Sequence, residues 1–362
     1  MFFSAITTEC FRNLNDTKID TRGKDIFLVG SNGQGKSNFL EAVYFCSYAS
    51  SFRNSKDCEM IADGKDRCFV KADFFDIFDK YLLAGIAGEK KTISLNNKQI
   101  NRKELLSIVS CVVFCHEDLD FVSGSFERRR WFFDQNICLY DPAYLNAFQS
   151  YKKILKSRNI LLREINEGKS GAILDVIDPQ LADYGLQIMA KREKEINFFS
   201  DIFNSVYESV AGIYGIKIKY KKSWKADNVN DVIFELKEHR SSEIAYKTTR
   251  TGPHRDNYIF TKESTVFDST ASTGQRRLLA LILRVAQALR YFEMTKKEPI
   301  LLLDDVLLEL DGKKRMKFLQ VLPPYKQAFY TFLPEEHFEE YRKSDTIVYY
   351  VHEGNLVHED NR

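Results

Sequence analysis

The sequence lacks the long hydrophobic runs and paired cysteines that mark membrane-spanning and disulfide-stabilised proteins. A run of roughly 18 consecutive apolar residues, the length that crosses a bilayer, does not occur, and the opening residues "MFFSAITTECFRN" contain no basic stretch followed by an apolar one. The seven cysteines are odd in number and show no repeated C-x-x-C spacing, which favours reduced, mostly buried thiols over disulfides or zinc ligands. We therefore expect a cytoplasmic protein without a membrane partner.

Net charge is also small, because 53 basic side chains are balanced by 51 acidic ones and leave a formal charge of +2. A surface that binds nucleic acid must then be a local patch rather than a property of the whole chain. The 362 residues exceed one typical hydrophobic core, and 44% of them are hydrophobic, so the chain can bury two lobes.

The stretch "VGSNGQGKSNFLEAVYF" fits the P-loop pattern G-x-x-x-x-G-K-[ST], with an apolar run before it and a helical pattern after it. In such a loop successive backbone N–H groups point at phosphate oxygens, Lys36 reaches the β- and γ-phosphates, and the Ser37 hydroxyl suits Mg²⁺. The alternative is a glycine-rich turn between a strand and a helix. The predicted nucleotide-binding residues are Gly30, Ser31, Asn32, Gly33, Gln34, Gly35, Lys36, Ser37 and Asn38.

A second stretch, "PILLLDDVLLELD", is typical of a Walker B motif. Its apolar residues 300–303 predict a strand buried on both faces, as at the centre of a parallel sheet. Asp304 at the strand's end is placed to hold the Mg²⁺ water shell, and Asp305 to polarise the attacking water. The alternative is a strand followed by a solvated acidic turn.

Upstream of this strand, "STASTGQRRLLALILRVAQALRYF" begins with a short polar segment and continues as a helix. One apolar stripe is predicted along this helix, formed by Leu278, Leu281, Ile282, Val285 and Leu289. The Ser272 hydroxyl and the Gly274 backbone are expected at the start of that helix, followed by Gln275. Ser-x-Gly-Gln before a Walker B strand resembles the ABC signature motif, which holds a nucleotide between two subunits. The alternative is an ordinary turn before a helix.

The pattern of elements changes along the chain. Residues 1–95 contain short β-like runs and one helix, residues 126–211 contain long helical patterns, and strands return after Gly212. Pro179 is expected to open the second long helix at its first turn. We predict an α/β fold with an ATP-binding lobe of the ABC type at 1–125 and 212–362, and an inserted helical lobe at 126–211.

Several blocks resemble one family specifically. They include "ECFRNLNDTKI", "YASSFRNSKDCEMI", "VVFCHEDLDFVSGSFERRRWFFD", "TRTGPHRDN", "STGQRR" and "LLLDDVLLELD", and together they cover nearly the whole chain. On these blocks the sequence resembles the RecF family of SMC-like ABC ATPases. The absence of a long coiled-coil insertion suits this family better than SMC or Rad50. The positions that depart from the family pattern are His116, Asn257, Arg276 and Leu308.

The resemblance implies a weak, DNA-stimulated ATPase with ATP and Mg²⁺ as cofactors. It implies a homodimer joined head to tail by ATP, which grips double-stranded or gapped DNA and is released by slow hydrolysis. RecO and RecR are the implied partners in loading RecA. The alternatives are a nucleotide-gated, non-catalytic scaffold, another SMC- or Rad50-like ATPase, or a transporter-type ABC subunit.

Some site residues rest mainly on this resemblance. Arg12 matches a family position near the nucleotide, with a surface arginine as the alternative. Glu117 lies where related ATPases sense the γ-phosphate, although acids are also common at helix N-termini. Asp311 resembles the loop that crosses to the partner subunit, and His254 is expected to be a hydrogen-bonded loop histidine rather than a catalytic base. The predicted catalytic residues are Asp305, Lys36 and Glu117.

Basic residues supply the candidate DNA contacts. In "IKIKYKK" the lysines alternate with apolar residues, which places them on one face of a strand. On that face they could bind DNA phosphates. The alternative is that they only protect a sheet edge from aggregation. No groove-reading helix is apparent, so little sequence specificity is expected. The candidates are Arg53, Lys56, Arg128, Arg129, Arg130, Lys217, Lys219 and Lys221.

Overall fold

The computed structural model describes residues 2–53, 55–75, 80–263 and 265–361 of the chain. The elements up to residue 120 are β1 (Phe3–Glu9), β2 (Thr17–Asp20), β3 (Asp25–Val29), α1 (Lys36–Tyr48), β4 (Arg67–Phe74), β5 (Tyr81–Ala87), β6 (Lys90–Leu95), β7 (Lys98–Gln99), α2 (Arg102–Ile108) and β8 (Cys111–Phe114). The later elements are α3 (Asp120–Ser123), α4 (Phe126–Cys138), α5 (Pro142–Asn166), α6 (Leu174–Ala211), β9 (Ile216–Lys221), α7 (Val229–Tyr246), β10 (Asn257–Lys262), β11 (Thr265–Val266), α8 (Phe267–Thr270), α9 (Thr273–Thr295), β12 (Ile300–Leu303), α10 (Gly312–Val321), β13 (Gln327–Phe332), β14 (Thr346–His352) and β15 (Asn355–His358).

The chain divides into two compact units. The sheet unit comprises Met1–Asp118 and Gln287–Arg362, and the helical unit comprises Leu119–Ala286. The predicted division instead placed 1–125 and 212–362 in the ATP-binding lobe and 126–211 in the helical lobe. The structure assigns 212–286 to the helical unit. In this segment β9 packs on α6, α7 packs on α5 and α6, and β10 packs on β9 and α4.

In the sheet unit, a mixed sheet positions the motifs. Its strand order is β15-β14-β3-β13-β12-β8, and β3 and β12 each run parallel to both of their neighbours. Every residue of β3, β8, β12 and β13 is buried, which explains why these strands are mostly apolar. The segments that follow β3 and β12 therefore leave the sheet at the same edge. A second sheet, ordered β2-β1-β4-β5-β6-β7, is entirely antiparallel.

The helical unit is built around long helices and a three-stranded antiparallel sheet ordered β11-β10-β9. Trp224 is fully buried in its core, among Tyr151, Leu181 and Val232. A buried arginine, Arg158, donates to carboxylates on two other helices, and this ion network ties α5 to α6 and α7. Its partners are Asp178 at 2.7 Å and Glu243 at 2.6 Å.

The predicted position of Pro179 at the start of a helix is wrong. Pro179 does not open a helix but lies inside α6, which begins at Leu174. A proline there removes one backbone hydrogen bond to the preceding turn. The residue before it, Asp178, is anchored by Arg158 at 2.7 Å and by Arg240 at 2.9 Å, and these bonds fix the helix next to the proline.

Helix α9 is more deeply buried than one apolar stripe would require. Leu279, Ala280 and Leu283, which lie outside the predicted stripe, are buried as well. The free cysteines are mostly buried, as predicted, and Cys58 is exposed. Within the described ranges, no helix combines the length and the hydropathy that crossing a bilayer requires.

Candidate nucleotide-binding site

The P-loop connects β3 to α1 and has the backbone that a phosphate cradle needs. Gly33 and Gly35 adopt φ angles of +78° and +114°, in the left-handed region that favours glycine. A Cβ on Gly30 would collide with the carbonyl oxygen of Val351 on the neighbouring strand β14. Ser31 and Asn32 are exposed at the tip of the loop. These features confirm the strand, loop and helix arrangement that the sequence predicts.

Lys36, the first residue of α1, points into this loop. Its ammonium group donates to the carbonyl oxygens of Gly30 at 2.6 Å and Ser31 at 3.2 Å, and the residue is only 3% exposed. A positive charge is thereby fixed beside the loop's N–H groups. Gln34 is held by the backbone N–H of Glu353, which donates to its side-chain oxygen at 2.7 Å.

Asp304 follows β12 and lies beside the start of α1. The Ser37 hydroxyl hydrogen-bonds its carboxylate. Burial, together with the charges of Asp305 and Glu117, raises the pKa of Asp304 to about 6, although the Ser37 hydrogen bond opposes this rise. A hydroxyl and a carboxylate in contact form a hard-oxygen pair of the kind that Mg²⁺ prefers. The donor set therefore fits Mg²⁺.

Asp305 adopts a left-handed backbone with φ of +54°, which is uncommon for a residue other than glycine. Thr331 on β13 fixes it, because its hydroxyl accepts from the Asp305 backbone N–H and contacts the Asp305 carboxylate, both at 2.7 Å. The sequence analysis missed Thr331. The only available signal is a polar residue near the end of a buried strand.

Arg12 and Arg53 converge on a buried carboxylate that the sequence analysis also missed. Glu41 on α1 is 0% exposed and accepts from Arg12 at 2.7 and 2.9 Å. Arg12 donates to Ser55 as well, at 2.7 Å. Arg53, a candidate DNA contact, donates to Asn38 at 2.8 Å and lies 3.8 Å from Asp304, beside the candidate nucleotide site. A charged residue within an otherwise apolar helix segment was the available signal for Glu41.

Two further carboxylates lie near the acidic pair. Glu117, in a 3-10 turn after β8, is exposed and electrostatically coupled to Asp304. Burial raises the pKa of Glu336, which follows β13, and the charges of Asp305 and Lys36 also act on this carboxyl. Glu336 was not predicted, because a loop glutamate carries no motif.

The signature residues lie in the helical unit. Ser272 caps α9, since its hydroxyl accepts from the Gln275 backbone N–H at 3.3 Å and the Gln275 side chain accepts from the Ser272 N–H at 2.8 Å. Ser272 and Gly274 are exposed, and a Cβ on Gly274 would have no neighbour within 4 Å. The start of this helix is therefore open to a ligand or another chain.

The remaining predicted residues fall into surface and buried groups. Asp311 is an exposed N-cap of α10, and its hydrogen bond with Lys314 lowers its pKa. His254 accepts from or donates to Tyr151 at 2.8 Å and contacts the Thr249 carbonyl at 3.0 Å, and burial lowers its pKa to about 4. The structure therefore confirms a neutral, hydrogen-bonded loop histidine.

The DNA candidates also divide. The side chains of Lys217, Lys219 and Lys221 are exposed on β9, opposite the apolar face, as the alternation predicts. Lys56 is exposed too. The prediction that Arg129 contacts DNA is wrong. Arg129 is 5% exposed and donates to the carbonyls of Val122 and Tyr258, so it is part of the core.

The arginines that flank Arg129 in α4 are only partly accessible. Arg128 pairs with Asp120 at 3.5 Å. Arg130 is half-buried and donates to the Asp256 carbonyl at 2.7 Å.

The sheet order, P-loop and Walker B acids define an ABC-type ATPase head of the SMC class. The family described as RecF/RecN/SMC N terminal domain matches residues 2–355. The chain is 41% identical to the DNA replication and repair protein RecF of Treponema pallidum (strain Nichols), over 95% of this chain and 97% of that protein. It is 31% identical to the protein of the same name from Lachnospira eligens, over 99% of this chain and 100% of that protein. The chain belongs to the RecF family.

Solved structures agree with this membership. The structure described as the recombination mediator protein RecF-ATP in the RecFOR pathway has a TM-score of 0.88 at 27% identity, and covers 99% of this chain and 97% of that one. An Smc head bound to the C-terminal winged-helix domain of ScpA has a TM-score of 0.54 at 15% identity, over 99% and 98% of the two chains. The second similarity concerns the fold alone.

Proposed function

We propose that this protein is an ATP-dependent DNA-binding protein of recombinational repair and replication. ATP joins two copies head to tail, the dimer grips double-stranded or gapped DNA, and slow, DNA-stimulated hydrolysis releases it. RecO and RecR are its partners in loading RecA. The observation that supports this function most is the convergence of Lys36, Ser37 and Asp304 in a chain whose relatives are RecF proteins.

The residues of the sheet unit divide the chemical work. The loop N–H groups and Lys36 bind the phosphates, and Ser37 with Asp304 would hold Mg²⁺, which neutralises phosphate charge when bound. Asp305, oriented by Thr331, would orient the attacking water. Arg12 and Arg53 line the same site with positive charge that Glu41 holds in place.

The signature segment acts on the nucleotide of the partner subunit. Its Ser272 hydroxyl, the Gly274 backbone and Gln275 lie at an exposed helix start, where backbone N–H groups and the helix dipole favour an anion. Asp311 is exposed on a loop of the sheet unit and is available to the dimer interface.

The DNA surface is basic and does not read bases. The lysines of β9 present three exposed positive charges at the edge of the sheet. Lys56 and Arg128 are further candidates for phosphate contacts, whereas Arg129 is excluded by its burial.

The direct experiment measures ATP turnover and DNA binding of the full chain with duplex, gapped and single-stranded DNA. We expect slow turnover that rises with duplex or gapped DNA, and DNA binding that requires ATP. ATP-dependent DNA binding without measurable turnover would support a nucleotide-gated scaffold instead. DNA binding that ignores ATP would contradict both functions.

A further inference from the structure

The helical unit contains a cavity of about 330 Å³ that neither the nucleotide site nor the β9 lysines include. It lies between α4, α5, α6 and the turn at 253–255. Its wall carries the cationic side chains Arg130, Lys152 and Arg255 together with the aromatic side chains Trp131 and Phe148. The volume is at the lower end of the roughly 300–1,000 Å³ of small-molecule sites.

Of the four cations on the wall, Arg192 is paired with Asp134 and Asp256, whereas the side chains of Arg130, Lys152 and Arg255 form no ion pair with a described carboxylate. Arg130 has no ion-pair partner among the described residues and donates only to the Asp256 carbonyl, at 2.7 Å. Burial and the charge of Arg192 lower the pKa of Arg130, while the carboxylates of Glu127, Asp134 and Asp256 act in the opposite direction. Lys152 and Arg255 are exposed, and the Arg255 guanidinium donates to the Thr249 carbonyl at 3.4 Å.

The buried acids around the cavity are already satisfied. Both oxygens of Asp134 accept from Arg192 at 2.9 Å, and Tyr144 donates to one of them at 2.6 Å. Asp256 accepts from Arg192 and from the Ser223 backbone N–H at 2.7 Å. Glu127 is an exposed acid on the wall. An anion that enters the cavity would therefore meet cations whose charge is available.

The aromatic side chains supply a different kind of contact. Trp131 is 38% exposed, and its ring stacks against Phe121 with the centroids 5.8 Å apart. The ammonium of Lys152 lies 4.6 Å from the centroid of Phe148, so charge and ring occur side by side. The exposed ring of Trp131 and the half-buried ring of Phe148 therefore lie beside cations, a combination that binds a nucleobase and its phosphate.

We propose that this cavity binds a nucleoside 5′-phosphate group. The base packs against Trp131 and Phe148, and the phosphate binds Arg130, Lys152 and Arg255. Either a free mononucleotide or the phosphorylated end of a DNA strand carries this chemistry. The site is separate from the P-loop, so the inference does not depend on the proposed ATP-driven cycle.

Intrinsic fluorescence tests the proposal, because the chain has two tryptophans and the other one, Trp224, is fully buried. The full-length chain carrying Lys36→Met, which disables the P-loop, is titrated with AMP and with short single strands bearing a 5′-phosphate or a 5′-hydroxyl. We expect phosphate-bearing ligands to quench the emission, and Trp131→Phe to remove the response. Quenching by AMP as strong as that by the phosphorylated strand identifies a mononucleotide site. A preference of about tenfold for the phosphorylated strand identifies a strand end.

A matched pair of variants separates the cavity from general positive charge. Lys152→Ala should weaken binding roughly tenfold, while Lys153→Ala, which removes the next exposed lysine of α5 outside the cavity, should leave it unchanged. Equal effects of the two substitutions would overturn the proposal. An emission that stays constant with every ligand up to millimolar concentration would also overturn it.

Discussion

The carboxylate of Glu41 receives two hydrogen bonds from the Arg12 guanidinium, at 2.7 and 2.9 Å, although the two residues lie on different elements. Glu41 is fully buried, and Arg53 lies 3.9 Å from it. Glu41→Gln would leave two guanidinium groups beside an uncharged amide. We expect the free energy of unfolding to fall by roughly 3 kcal/mol and ATP turnover to fall with it.

A double-mutant cycle isolates this contact. Arg12→Ala should cost less stability in the Glu41→Gln background than in the parent, with a coupling of about 1 kcal/mol or more. The exposed Glu89 provides the control, because Glu89→Gln should change neither stability nor turnover. Strict additivity of the two substitutions would show that the guanidinium and the carboxylate act independently.

The raised pKa of Asp304, about 6 against an ordinary value of 3.8, predicts how stability depends on pH. The folded state holds this proton more tightly than the unfolded state. The free energy of unfolding therefore falls as pH rises from about 4 to about 6 and the carboxylate loses its proton. Asp304→Asn should therefore raise the free energy of unfolding at pH 7.5 by about 1–3 kcal/mol, and change it little at pH 4. Magnesium-dependent ATP binding should be lost at the same time.

Urea unfolding at the two pH values, without nucleotide, measures this effect. Asp66→Asn, at an exposed position, is the control and should show no such pH dependence. A less stable Asp304→Asn variant at pH 7.5 would contradict the assigned electrostatics.

Asp305→Asn should separate binding from hydrolysis. Asparagine tolerates the left-handed backbone found at this position and keeps the hydrogen bonds with Thr331, so the variant should fold and bind ATP. Loss of the charge that orients water should lower turnover by about 10²-fold and trap the dimer on DNA. Single-turnover hydrolysis and DNA dissociation rates are the measurements. Unchanged hydrolysis would rule out the catalytic role, and Glu335→Gln at a nearby exposed position is the control.

DNA binding should be electrostatic and tolerant of sequence. Replacing Lys217, Lys219 and Lys221 with alanine should weaken binding and reduce the slope of log affinity against log salt by up to about 3. The triple arginine variant, which preserves charge, should bind like the parent. If the alanine variant has the same slope of log affinity against log salt as the parent, β9 is not part of the DNA-binding surface.

The sequence predicts the parts of this molecule that local chemistry specifies. The P-loop, the Walker B strand and the alternation of β9 follow from spacing, apolar runs and period, and the structure confirms each of them. RecF family membership was also recognisable, because its blocks run through the whole chain.

What the sequence did not predict depends on contacts between distant segments. Glu41 meets Arg12 only because α1 lies beside the turn after β1, and Arg129 is buried only because β10 packs against α4. The membership of β9 and α7 in the helical unit likewise depends on their packing rather than on composition. Local patterns carry no signal for such contacts.

The central claim is that each ATP site is shared between two chains, and mixing two inactive variants tests it most directly. A Lys36→Met homodimer has two defective P-loops, and a Ser272→Arg homodimer has two defective signature segments, so each alone should hydrolyse no ATP. In the mixed dimer one site carries both defects, while the other pairs an intact P-loop with an intact signature. We predict that turnover partly returns on mixing and rises with protein concentration, because assembly is bimolecular. Turnover that stays at zero, although both variants are folded and the mixed pair cross-links in ATP, would contradict the shared site.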